Sequence, residues 1–92
     1  MNGMAKFSVV LYGRAGCHLC EQVERMIQKV AVDYPLELTV IDIQSEMALE
    51  EKFMLTIPAV AIDGEEVFLS ETSVVTEEQF RAELQKRTAA QS

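Results

Sequence analysis

The chain has 92 residues, of which 49% are hydrophobic and 25% charged, a balance that suits one globular domain and excludes a disordered tail. Eight basic residues against fifteen acidic ones give a net charge of −7, which repels phosphate backbones and anionic lipid surfaces and argues against nucleic acid or a membrane as partner. No apolar run reaches the roughly 20 residues that cross a bilayer, and the opening residues Met1 to Lys6 lack the layout of a secretory signal, so the expected location is the cytoplasm.

Lys6 to Tyr12 is a short, nearly continuous apolar run closed by Gly13, and it predicts a buried central strand. Gly13-Arg14-Ala15-Gly16 then leads into Cys17, after which Leu19, Val23, Met26, Ile27 and Val30 recur at helical spacing. Tyr34-Pro35 should stop that helix, because the residue before a proline resists the helical region. Leu36 to Ile43 reads as a second strand with Leu36, Leu38 and Val40 on one face. Ser45 is placed to cap a short helix from Glu46 to about Phe53, turning Met47 and Phe53 inward. Met54, Phe68 and Phe80 are also expected in the core.

Thr56-Ile57-Pro58 precedes another apolar run, Ala59 to Ile62. Asp63-Gly64 has the composition of a hairpin turn, with Val67 to Leu69 returning as the partner strand. Thr76-Glu77-Glu78-Gln79 has the spacing of a capping box, and Phe80 and Leu84 give the last helix one apolar side. The tail beyond Arg87 should fray. The glutamate pairs at 50–51, 65–66 and 77–78 read as solvated faces and a helix start. The order is therefore β-α-β-α-β-β-α: an α/β domain over residues 1–92 with its core at about 6–87. Parallel first strands and a final hairpin make a mixed four-stranded sheet, with helices on both faces.

The two cysteines stand three apart, at Cys17 and Cys20. A structural disulfide explains this poorly, since so small a loop removes little entropy from the unfolded chain. Cys17 falls where a strand-to-helix turn exposes free backbone N–H groups and the positive end of the helix dipole. That environment favours a thiolate, the nucleophile of disulfide chemistry. Cys20 lies one turn later on the same face, within disulfide reach. The pair thus supplies an attacking and a resolving thiol. Two other readings are weaker. A zinc site needs about four ligands, and the chain adds only His18, which points away from any site both sulfurs share. Inert buried cysteines do not suit a glycine-flanked helix start.

A strand, Arg-Ala-Gly-Cys-His-Leu-Cys, a helix and, some forty residues on, Thr-Ile-Pro, a strand, Asp-Gly and a further strand together resemble a glutaredoxin. The likeness is greatest to small bacterial glutaredoxin-like proteins with Cys-His-Leu-Cys, and it runs from about Lys6 to Leu84. The resemblance implies a thioredoxin fold with strand order 2-1-3-4. It also implies catalytic Cys17 and Cys20, and a cis peptide bond at Pro58 that presents the backbone of Ile57 to a substrate. Arg14 matches a basic position that contacts a glutathione carboxylate, and Thr56 precedes the proline loop as in the family. His18 is either a tuner of the Cys17 thiol or an exposed spacer. Where glutaredoxins carry a Gly-Gly pair, this chain has Val67-Phe68-Leu69-Ser70-Glu71. Side chains there crowd the approach of glutathione and Glu71 repels its carboxylates, so glutathione is a disfavoured co-substrate.

These readings predict a thiol–disulfide oxidoreductase, without a bound cofactor or metal, acting as a monomer on protein disulfides and recharged by a thiol reductant. The rivals are a dimer holding an iron–sulfur cluster through Cys17 and a redox-inactive adaptor.

Overall fold

The structure is a computed structural model, and it describes residues 7–91. Lys6, the first residue of the expected opening strand, lies outside the described residues. The elements in chain order are β1 (Phe7–Gly13), α1 (His18–Val30), β2 (Leu36–Asp42), a 3-10 turn (Ile43–Ser45), α2 (Met47–Phe53), β3 (Ala59–Ile62), β4 (Glu65–Phe68) and α3 (Glu77–Gln91). The sheet order is β2-β1-β3-β4. β1 runs parallel to β2, and the β1–β3 and β3–β4 pairs are antiparallel. The mixed sheet and its order are as expected.

Alternation along the strands sorts the side chains into two layers. Phe7, Val9 and Leu11 of β1 and Val60 and Ile62 of β3 meet Val23, Ile27 and Val30 of α1 and Phe80 and Leu84 of α3. The opposite face carries a smaller cluster of Ile43, Phe53 and Ala59, with Tyr12, Leu49 and Ile57 packed against it. Tyr12 stacks on Phe53 there, ring centroids 4.3 Å apart and 18° from parallel. The capping box forms as its spacing predicts: Thr76 N–H donates to Gln79 Oε1 (2.9 Å) and Gln79 N–H to Thr76 Oγ1 (3.1 Å).

Several local expectations are corrected. Met47 is 80% exposed and Met54 55%. α2 has only two turns, and its buried side is the i, i+4 pair Leu49 and Phe53, so Met47 falls on the opposite side and Met54 beyond the end. Leu19 is also exposed, because Cys20 carries the first position of the buried stripe of α1. Ser45 does not cap α2. Its hydroxyl donates to the Asp42 carbonyl (2.7 Å) within the 3-10 turn, while Asp42 Oδ1 accepts from Gln44 N–H (2.8 Å). α2 begins at Met47 with Glu46 as N-cap and no side-chain cap bond.

Val40 is half exposed although Leu36 and Leu38 pack on the main core, since it lines an open cleft instead. β4 starts at Glu65, directly after a turn with positive φ at Asp63 (51°) and Gly64 (86°), and ends at Phe68. Its glutamates are not merely solvated: Glu65 pairs with Arg87 and Glu66 with Lys52. α3 extends past Arg87 to Gln91. Arg87 holds Glu83 (2.8 Å) and Glu65 (2.7 Å), and Thr88 Oγ1 donates to Leu84 O (2.9 Å), which tie the last turns back.

Candidate active site

The site lies at the C-terminal end of β1. Parallel pairing sets Gly13 beside Asp42 of β2, and antiparallel pairing sets Tyr12 beside Ala59 of β3. Pro58 therefore stands at the sheet end where β1 hands over to α1, preceded by a cis Ile57–Pro58 bond. Between β1 and α1, Gly16 takes a φ of 78° and Cys17 N–H donates to Arg14 O (3.3 Å), closing the turn.

Cys17 is the N-cap of α1, in an extended conformation, and its Sγ accepts a hydrogen bond from Cys20 N–H (3.1 Å). A sulfur thus fills the capping role that Ser, Thr or Asp usually takes. Cys17 and Cys20 are joined as a disulfide with their Cα atoms 5.2 Å apart. Cys17 is half-buried, and Cys20 is 6% exposed.

Gly13 makes that burial of Cys20 feasible. Alternation turns its missing side chain toward α1, and a Cβ there would meet Cys20 Cβ and Sγ at 3.0 Å each. The sequence suggested only a strand stop at this position. On the β2 side, a cleft of about 300 Å³ opens beside Cys20, with Gly13, Arg14, Glu21, Glu24 and Asp42 among its lining. Thr56, Ile57 and Pro58 do not line it. The structure therefore gathers Arg14 with Cys20 on one flank and sets the proline loop toward the other. His18, the first residue of α1, is exposed. Thr56 is half-buried, with its N–H (2.9 Å) and hydroxyl (3.3 Å) both donating to Phe53 O. Ser70, which sequence reasoning treated only as a crowding side chain, hydrogen-bonds to this loop from twelve residues beyond Pro58. No motif announces such a contact.

Among the described residues, no group of three or more His, Cys, Asp or Glu side chains is arranged to hold a metal ion. No helix among them is long and apolar enough to cross a membrane.

Sheet order, cis-proline and a Cys-x-x-Cys pair at a helix start together define a thioredoxin-fold domain with a redox-type site. The chain belongs to the glutaredoxin-like domain family (DUF836), whose model matches residues 8–85. No curated protein sequence matches it significantly. Among solved structures it is similar to protein Ne2328 from Nitrosomonas europaea, at 24% identity over 90% of this chain and 96% of that one, with a TM-score of 0.74. A protein from X. campestris matches at 24% identity over 85% and 96% of the two chains, with a TM-score of 0.69. A thioredoxin variant from Halobacterium salinarum matches at 17% identity over 88% and 74%, with a TM-score of 0.66. At these identities the likeness is one of fold.

Proposed function

We propose that the protein is a thiol–disulfide oxidoreductase that reduces protein disulfides, with Cys17 as nucleophile and Cys20 as resolving thiol. The observation that carries this reading is the Cys17 sulfur at the N-cap of α1, accepting the Cys20 N–H. A charge-assisted bond to that N–H and the dipole of α1 both stabilise sulfur as a thiolate. In the reduced protein the Cys17 thiolate attacks one sulfur of a substrate disulfide. A new S–S bond forms, the substrate bond breaks, and the leaving sulfur takes up a proton. Cys20, deprotonated, then attacks Cys17 Sγ and expels the second substrate thiol. The substrate gains two electrons and two protons, and the protein is left with the Cys17–Cys20 disulfide, which an external dithiol reduces.

The loop at Pro58 supports a peptide as substrate. A proline offers no N–H, and Ile57 is positioned to pair by its backbone with an extended chain. Arg14 beside Cys20 offers one cation, and His18 is exposed next to Cys17. Glutathione fits less well: Leu69, Ser70 and Glu71 occupy the segment after β4, Glu71 is exposed there, and Ser70 joins it to the proline loop.

The test compares kcat/KM for a protein disulfide, recharged by a dithiol, with kcat/KM for a small glutathione mixed disulfide, recharged by glutathione. The expected result favours the protein disulfide by roughly 5- to 150-fold, the effect of about 1–3 kcal/mol. Equal efficiency on the two would overturn the preference, and no turnover of either would overturn the activity. Alkylation of the reduced protein with iodoacetamide across a pH series assigns the roles. Cys17 should label first, and faster labelling of Cys20 at every pH would reverse the assignment.

A further inference from the structure

The carbonyls on either side of Ile57 share one partner. Ser70 N–H donates to Thr56 O (3.0 Å), and Ser70 Oγ donates to Pro58 O (2.6 Å). Thr56 turns its own N–H and hydroxyl back to Phe53 O, and Pro58 has no N–H. What stays open in this loop is the N–H and C=O of Ile57, which have no partner among the described residues. Its side chain is held meanwhile against the cluster of Ile43, Phe53 and Ala59.

Peptide geometry turns the two Ser70 bonds into orientation. Thr56 C=O and Ile57 N–H belong to one planar unit, so holding that carbonyl sets the direction of the N–H. The ring of Pro58 fixes its φ, and holding its carbonyl fixes its ψ. The unit that carries Ile57 C=O is thus pinned from both sides. We propose that Ser70 is a positioning residue for substrate: its two bonds align the free backbone edge of Ile57 to pair with an extended peptide beside the disulfide being reduced. This rests on the oxidoreductase reading and adds to it the residue that pre-organises the docking edge, where order already present need not be acquired on binding.

The experiment uses the pre-reduced protein and two disulfides with the same coloured leaving group, thionitrobenzoate. One is carried by the central cysteine of an uncharged eight-residue extended peptide, and the other by mercaptoethanol, which has no backbone to pair. Ser70→Ala should raise the half-saturating concentration of the peptide disulfide about fivefold, the effect of one hydrogen bond, with the limiting rate unchanged. The rate on the mercaptoethanol disulfide should not move, and Ser70→Thr, which keeps the hydroxyl, should restore peptide binding. Unchanged peptide saturation in Ser70→Ala, or equal losses on both disulfides, would overturn the positioning role. A second measurement serves if that variant does not fold. With the peptide trapped on Cys20→Ser, hydrogen exchange at Ile57 N–H should slow relative to the free protein, and an Ile57 amide that stays open in the trapped complex overturns the proposal. A wild-type protein that discharges neither disulfide overturns the oxidoreductase reading itself, an outcome distinct from any Ser70 result.

Discussion

The two ends of the sheet are finished in opposite ways. Where β1 begins, polar groups answer one another. Ser8 N–H donates to Asp63 Oδ1 (2.9 Å), and Asp63 N–H donates to Ser8 O (2.7 Å). Nearby, Lys29, Asp33, Glu77 and Arg81 join the last turn of α1 and the loop after it to the first turns of α3. Where β1 ends, groups are left open: the half-buried Cys17 at the N-cap of α1, the backbone edge of Ile57, the apolar side chains of Leu19 and Leu55. One end is closed on itself, and the other offers sulfur, backbone and apolar surface to something outside. If this division is functional, substitutions at the open end change turnover more than stability, and those at the closed end do the reverse.

The largest expected effect is at Cys17. Cys17→Ser should drop disulfide reduction to the uncatalysed background, while the urea midpoint, compared between reduced proteins, stays close to wild type. Cys20→Ser should retain the first attack and accumulate mixed disulfides, visible by mass spectrometry. Equal trapping by both variants would erase the distinction between attacking and resolving sulfur.

Gly13→Ala is next, and it probes whether the division is clean. The added Cβ meets Cys20 Cβ and Sγ at 3.0 Å each, and Cys20 is itself buried. Overpacking of this kind costs about 1–3 kcal/mol, read by urea unfolding. It should also push Cys20 outward, slowing closure of the Cys17–Cys20 bond and lengthening the life of the mixed disulfide. A stability loss with no change in that lifetime would make Gly13 a packing residue alone.

Asp63→Ala tests the closed end. It removes the acceptor for Ser8 N–H and puts alanine at a φ of 51°, where aspartate is better tolerated. The expected loss is about 1–2 kcal/mol of unfolding free energy with kcat/KM on a peptide disulfide unchanged. A parallel fall in turnover would show that the two ends are coupled through β1 and β3.

What could be read from the chain alone follows the range of the interaction. The apolar run of β1, the Asp63-Gly64 turn and the Thr76–Gln79 box are local, and each forms the element it predicts. The cysteine pair is equally local, since three residues on a helix start bring both sulfurs together. The misses depend on partners far along the chain or on how much of a short helix is covered. Glu65 reads as part of a solvated pair but binds Arg87, 22 positions later. Met47 follows hydrophobicity but lies opposite Leu49 on a two-turn helix. Gly13 and Ser70 matter for what stands across from them, Cys20 and Pro58, and neither contact has a sequence period.

The smallest effect concerns acid. Glu77 accepts from Arg81 Nε (2.9 Å) and from Lys29 Nζ (3.2 Å). The Arg81 bond first, then the Lys29 bond, hold its carboxyl below the usual carboxylate range. A carboxyl whose pKa is lowered by folding stabilises the fold above its unfolded value of about 4.3, and that contribution fades as pH falls through the lower folded value. The group is solvent-screened, so the effect is small and should shrink further with salt. Glu77→Gln keeps the size of the side chain and part of its hydrogen bonding while removing the charge. Its thermal midpoint should therefore lie slightly below wild type at pH 7 in dilute buffer, with the gap closing toward pH 3 and narrowing in high salt. Activity on a peptide disulfide should stay level, because this cluster sits at the end of α1 away from the sulfurs. A gap that persists unchanged at pH 3 would mean that Glu77 acts through packing at the start of α3 rather than through its charge.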